Sequence, residues 1–143
     1  MHVVLAVAIS KDGFINQVDQ KHSYDWTSSE DKAHFAKLLK QHTLYLMGRQ
    51  TYEHNRGYMR FSPEKLRVVF TRSPNSYTPL PGMLEFTSDS PQDTLARLNK
   101  DRFQDALLWG GGKLFTDFLE AGLVDEAYVT IEPQIFGEGT PFN

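Results

Sequence analysis

Cysteine is absent from the 143 residues, which removes disulfides, thiolate metal ligands and cysteine nucleophiles together. Basic charge is short. Lys and Arg number 15 against 18 Asp and Glu, for a net charge of −3, and the pI is 5.9. No basic stripe stands out, so no nucleic-acid partner is expected. No apolar run is long enough to span a bilayer, and no charged-then-apolar leader opens the chain. No membrane partner is expected, and a cytoplasmic location is. The five His fall in no HExxH or comparable spacing, so no metal is expected. What remains is ordinary for a globular domain: 40% hydrophobic and 23% charged residues. Residues 1–143 carry no repeat, low-complexity tract or dividing linker, and they read as a single domain.

Short apolar runs alternate with helical segments. His2 to Ile9 is almost wholly apolar and β-branched, the mark of a strand buried on both faces. Ser10 to Gly13 is a turn signal, and Asn16 to Tyr24 reads as a polar loop. Further strands are expected at Thr43–Met47, Leu66–Thr71, Met83–Phe86, Ala106–Trp109 and Ala127–Ile131, the last clear one. Pro91 opens a helix running to about Lys100, and a helix from Lys113 to Ala121 stops at Gly122. The alternation predicts an α/β domain with a mostly parallel sheet.

Asp31 is the most informative acid. It precedes Phe35 and Leu38 at i, i+4, i+7 spacing, on what should be the apolar stripe of a helix. A carboxylate there loses hydration, and its pKa rises unless something pairs with it, as proton-coupled chemistry requires. The bland alternative is capping. Thr27 with Glu30, or Ser28 with Asp31, would form a capping box, and first-turn acids complement the helix dipole.

Two strand ends carry phosphate-binding signals. Trp109 is followed by Gly110, Gly111, Gly112 and Lys113. The glycines let a pyrophosphate or another backbone approach closely, and the following helix N-terminus favours anions. Lys113 in that first turn is easier to understand if an anion sits there; a tight strand-to-helix turn is the alternative. Gly48, Arg49, Gln50 and Thr51 repeat the logic. Arg49 offers a fork suited to phosphate, and Thr51 an oxygen for a cap or a phosphate. Arg72 would reach the same region if the strands are adjacent, and otherwise reads as a solvated charge. Together they suggest one extended ligand with two phosphates, such as a dinucleotide, across the carboxyl edge of the sheet. Lys65 and Arg67 read equally as surface charges or as contacts to a substrate carboxylate.

Ala6 to Ile15, the Trp26-x4-Asp31-x3-Phe35 spacing, Met47 to Glu53, Gly110 to Lys113 and Tyr128 to Thr130 together resemble the dihydrofolate reductase-like superfamily. The resemblance implies a three-layer α/β fold, a central mostly parallel sheet with helices on both faces. Its C-terminal edge strand is missing or supplied by a partner, as in a homodimer. Gly122 to Glu126 and Glu132 to Pro141 look like the riboflavin-pathway pyrimidine reductase branch. Asp31 with Thr130 looks more like dihydrofolate reductases.

The resemblance implies hydride transfer from NADPH to a C=N bond of a small-molecule substrate. The cofactor would lie on Ala8, Ile15, Gly48, Arg49, Gln50, Thr51, Thr71, Arg72, Trp109, Gly110, Gly111, Gly112, Lys113 and Leu114. Ala8, Trp26, Asp31, Phe35 and Thr130 would face the substrate. Asp31 would hold the pterin and promote protonation, with Thr130 orienting its carboxylate. The leading expectation is dihydrofolate reduction. The alternatives are the riboflavin-pathway 5-amino-6-(5-phosphoribosylamino)uracil reductase and an NADPH-binding module without turnover.

Overall fold

Alternating apolar residues decide the architecture, because each strand must cover both of its faces. The computed structural model describes residues 1–9, 14–17, 29–101, 103–131 and 139–141. In chain order the elements are β1 (His2–Ile9), β2 (Phe14–Gln17), α1 (Ser29–Gln41), β3 (Leu44–Gly48), α2 (Arg49–Asn55), β4 (Leu66–Phe70), β5 (Leu84–Thr87), α3 (Pro91–Asp101), β6 (Asp105–Gly110), α4 (Gly112–Glu120), β7 (Glu126–Ile131) and β8 (Gly139–Pro141). Six strands form one sheet in the order β5-β4-β3-β6-β1-β7, and every pairing in it is parallel.

Strand periodicity assigns the two faces. Val3, Leu5, Leu44, Leu46, Leu66, Val68, Ala106 and Leu108 point to one side, where Leu95 and Leu98 of α3 and Leu114, Phe115 and Phe118 of α4 cover them. Val4, Ala6, Tyr45, Met47, Val69 and Leu107 point to the other, against Leu38 and Phe35 of α1 and Tyr52 of α2. Helices therefore lie on both faces, the three-layer arrangement expected. Asp31 is the third residue of α1. Phe35 and Leu38, one and two turns on, do face the sheet, as the stripe predicted.

Local chemistry sets the helix ends. The Asp93 N–H donates to Ser90 Oγ at 3.1 Å, so Ser90 caps α3 ahead of Pro91. At the end of α4 the Gly122 N–H donates to the Leu119 carbonyl and the Leu123 N–H to the Phe118 carbonyl, at 3.1 and 3.0 Å. Gly122 has φ +68, which completes a Schellman motif only glycine adopts cheaply. Asp125 then ties the chain to β1: its Oδ2 accepts from the Val3 N–H at 2.8 Å, and its own N–H donates to the Val3 carbonyl at 2.9 Å. This gives the Gly122-to-Glu126 segment a structural purpose, delivering β7 beside β1.

Three sequence expectations need correction. Asn16 and Gln17, read as the start of a polar loop, belong to the strand β2, and a strand lies beyond Ile131. β2 pairs antiparallel with β8 in a separate two-stranded sheet, with a register shift between Phe14 and Asn16. Strands of four and three residues leave too little alternation to read, and each needs a partner more than a hundred residues away. Arg67 is no surface charge: its residue is 7% exposed.

Candidate active site

The parallel order brings the carboxyl ends of β4, β3, β6 and β1 side by side. In open α/β sheets ligands bind outside such an edge. Arg72 follows β4, Gly48 ends β3 and Gly110 ends β6. The adjacency on which Arg72 depended is met, because β4 neighbours β3 and β3 neighbours β6.

The glycines are explained first by the chain itself. Gly110 has φ +150, and a Cβ on it would stand 3.4 Å from Thr51 Oγ1. On Gly111 the distance would be 3.2 Å, and a Cβ on Gly48 would lie 3.6 Å from the Gly111 nitrogen. The start of α2 therefore sits directly against the β6–α4 turn. Of the two readings left open, close approach of another segment is the one visible, and the Gly110–Gly111 peptide is cis. Thr51 is half-buried against this turn.

The donor chemistry of the edge nevertheless suits phosphate. Gly111 is the N-cap of α4 and Gly48 that of α2, and neither helix has a side-chain cap. Gly112, Lys113 and Leu114 thus open α4 with backbone N–H groups that have no intrahelical acceptor. The Lys113, Arg49, Gln50 and Arg72 side chains are exposed nearby in the chain. The Leu114 side chain is 6% exposed within the α4 core cluster, so only its backbone remains for a ligand. Thr71 is buried, and its Oγ1 accepts from the Ser73 N–H at 3.2 Å.

Arg49 has a partner the sequence reading missed. Its Nη1 donates to Glu53 Oε2 at 2.9 Å, one helical turn on, and the Tyr77 hydroxyl donates to Glu53 Oε1 at 2.6 Å. The Tyr77 hydroxyl, together with Arg49, holds the Glu53 carboxyl below its usual value, and Glu53 raises that of Arg49. Tyr77 stacks on Phe86 at 4.7 Å and meets Tyr52 edge-on. The i, i+4 spacing of Arg49 and Glu53 could have signalled the pair; nothing local signals Tyr77.

On the face covered by α1, Trp109 is half-buried, with its ring 5.4 Å from that of Phe35 and 6.0 Å from that of Tyr45. It links α1 to the glycine turn that it precedes. Ala8 and Thr130 are paired in register on neighbouring strands β1 and β7. Ile15 is in β2. The sheet thus joins Ala8 and Thr130 through backbone pairing, while Asp31 stands in the first turn of α1. The side chains of Ala8, Ile15, Asp31 and Thr130, and all of Trp26, lie outside the described residues, as do Ser10–Gly13 and residues 132–138. Among the described residues no group of three or more metal-capable side chains gathers, and no helix is long and apolar enough to cross a membrane.

Residues 1–143 match the family model of the RibD C-terminal domain from end to end. The chain belongs to this family. The RibD C-terminal domain is part of the dihydrofolate reductase-like superfamily. Two Bacillus subtilis (strain 168) proteins, both described as uncharacterized, are similar. YwjB is 30% identical over 143 residues, spanning 96% of this chain and 80% of its own. YyaP is 28% identical over 152 residues, spanning 97% and 78%. A solved structure of a Shewanella sp. PV-4 protein named for riboflavin biosynthesis superposes with a TM-score of 0.77 at 25% identity, covering 99% of this chain and 82% of its own. The diaminohydroxyphosphoribosylaminopyrimidine deaminase/5-amino-6-(5-phosphoribosylamino)uracil reductase of Thermotoga maritima also reaches 0.77, at 18% identity, covering 98% of this chain and 47% of its own. That last likeness shows the fold. The family match favours the riboflavin branch over the expected dihydrofolate activity, which gains no support from it.

Proposed function

We propose that this RibD C-terminal domain family member is an NADPH-dependent reductase of a small pyrimidine of the riboflavin-pathway type, with 5-amino-6-(5-phosphoribosylamino)uracil the first substrate to offer. The observation that carries the reading is the family match over all of residues 1–143. The contiguous carboxyl edge of β4, β3 and β6, with its uncapped helix starts, supports it.

NADPH, when bound, supplies the hydride; the protein supplies placement and electrostatics. Backbone N–H groups of Gly112 to Leu114 would hold phosphate oxygens, and Lys113, Arg49, Gln50 and Arg72 would neutralise them. Thr51 would keep the glycine turn in place, with Gly48, Gly110 and Gly111 allowing its close packing. Thr71 and Trp109 would line the same edge, and Ala8 and Ile15 would flank the nicotinamide. Asp31 would sit near the heterocycle, hold its N–H groups and favour protonation of the nitrogen next to the reduced carbon. Thr130 would orient that carboxylate, and Phe35 and Trp26 would pack on the ring.

The test is loss of NADPH absorbance on adding the phosphoribosylaminouracil, with dihydrofolate as a parallel arm. Oxidation with the pyrimidine and none with dihydrofolate is expected. Oxidation with dihydrofolate alone would reverse the substrate assignment. NADPH binding without oxidation of either would favour a binding module.

A further inference from the structure

Arg49 and Glu53 form an ion pair that is turned the wrong way for its helix. Arg49 opens α2 and Glu53 follows one turn later, joined Nη1 to Oε2 at 2.9 Å. Helices gain from acids in the first turn and bases in the last, and at i, i+4 spacing the acid-first order is the better one. α2 has no acid in its first turn. The two side chains are 45% and 38% exposed, so solvent screens the pair and it adds little to stability. Helix stability does not account for it.

Glu53 is held in place from another part of the chain. The Tyr77 hydroxyl donates to its Oε1 at 2.6 Å, which leaves Oε2 to Arg49. Of these two partners the hydroxyl does more to hold the Glu53 carboxyl below its usual value. The Tyr77 ring has little room to move. It lies nearly parallel on Phe86 of β5, with centroids 4.7 Å apart, and meets Tyr52 of α2 edge-on at 6.0 Å. Tyr52 is in turn edge-on to Phe86 at 5.3 Å. Three rings, from α2, β5 and the β4–β5 connection, thus fix the hydroxyl, and the hydroxyl fixes the carboxylate. The same connection carries Arg72.

The carboxylate changes what Arg49 can do. A guanidinium already donating to a carboxylate has fewer N–H groups for a phosphate, and the carboxylate repels the phosphate directly. Dinucleotide recognition gives the pair a meaning. An arginine suits a ribose 2′-phosphate, and a carboxylate suits an unmodified 2′-hydroxyl. α2 presents both, one turn apart and bonded to each other. We infer that Glu53, held by Tyr77, sets the preference between the 2′-phosphorylated and unphosphorylated dinucleotides by lowering the affinity of Arg49 for phosphate. Glu53 is the selectivity residue, and Tyr77 is a positioning residue that acts through it. The inference rests on the proposed reductase reading and deepens its cofactor side.

Binding of NADPH and of NADH, followed by nicotinamide fluorescence without substrate, tests it in the wild type, Glu53→Gln, Tyr77→Phe and the double variant. Tyr77→Phe keeps the ring stack and removes only the hydroxyl, and Glu53 is exposed, so all are expected to fold. Glu53→Gln should raise the ratio of NADPH to NADH affinity by roughly two- to fivefold, the range of exposed charge pairs. Tyr77→Phe should raise it by less. It should add nothing in the Glu53→Gln background, because the hydroxyl acts through the carboxylate. A purely structural role would move both affinities together, and an unchanged ratio in Glu53→Gln overturns the inference. A fall in the ratio on Tyr77→Phe also overturns it, since the hydroxyl would then serve the phosphate itself. If the wild type binds neither dinucleotide, the reductase reading is what breaks, and inorganic pyrophosphate decides on Glu53. It is titrated against potassium chloride at matched ionic strength and read by the 15N resonance of Arg49 Nε. Tighter pyrophosphate binding in Glu53→Gln upholds the control of Arg49 by its carboxylate, and equal binding overturns it.

Discussion

Replacing Gly110 by alanine separates backbone conformation from space at the strand-to-helix turn. Gly110 has φ +150, a region L side chains rarely enter, at a cost of about 1–3 kcal/mol. The new methyl would stand 3.4 Å from Thr51 Oγ1 and 3.7 Å from the Phe115 ring, ordinary contact distances, so the cost is that of the backbone conformation. For a chain of this length, about 1 kcal/mol lowers the melting temperature by about 3 °C. The expected drop for Gly110→Ala is therefore roughly 3–10 °C, read by circular dichroism. Two variants complete the test. Gly57→Ala places its methyl where nothing lies within 4 Å and should change the midpoint little. Gly111→Ala meets Thr51 Oγ1 at 3.2 Å without a positive φ. Its penalty should shrink when Thr51 is also changed to alanine, because residues in contact are not additive. A Gly110→Ala protein melting with the wild type would refute the conformational requirement at Gly110, and a Gly111→Ala penalty indifferent to Thr51 would refute the claim that packing of α2 dictates Gly111.

Phe118→Ala should destabilise by about 3–5 kcal/mol, since the ring is fully buried and its removal leaves a cavity under the sheet; urea unfolding at constant m-value measures it. Asp31→Asn should lower turnover by roughly two orders of magnitude or more with NADPH affinity nearly unchanged, and full turnover at neutral pH would remove Asp31 from the mechanism. Glu53→Gln removes a negative charge from beside Arg49 and should tighten NADPH binding more than NADH binding, measured by nicotinamide fluorescence; equal effects would place Arg49 away from the 2′-phosphate. Tyr77→Phe tests the sign of the Glu53 shift. Because the folded carboxyl is held below its usual value, its stabilisation is present above the usual carboxylate range and is lost as pH falls through the lowered value. The wild-type advantage over Tyr77→Phe at neutral pH should therefore narrow in acid, as stability curves at several pH values would show.

The parallel strands were legible because each is a compact apolar run between turn signals. Leu44 to Met47 and Ala106 to Leu108 are buried on both sides, which is what such runs predict. The helix stops were legible where one residue has a special conformation, as at Gly122, or a capping oxygen, as at Ser90. The β2–β8 sheet was not, because its signal lies in pairing between distant short segments rather than in either segment. The glycine turn was half legible. Three glycines announce a close approach, but only the fold shows that Thr51 is what approaches.

Charged residues were read least well, for a reason that is physical. A Lys or Arg in sequence says nothing about whether its guanidinium or ammonium ends in water or between rings. Arg67 falls on an apolar face only through strand alternation: Leu66 and Val68 face α3 and α4, so Arg67 and Val69 must face α1. That inference was open to the sequence once the strand was assigned, and it would have contradicted the surface reading. Arg49 shows the converse. It lies on an exposed helix start where phosphate recognition was expected, yet Glu53 and Tyr77 occupy it. Any phosphate that binds there must compete with a carboxylate already in place, so anion binding at Arg49 exchanges an existing ion pair, with a correspondingly smaller gain.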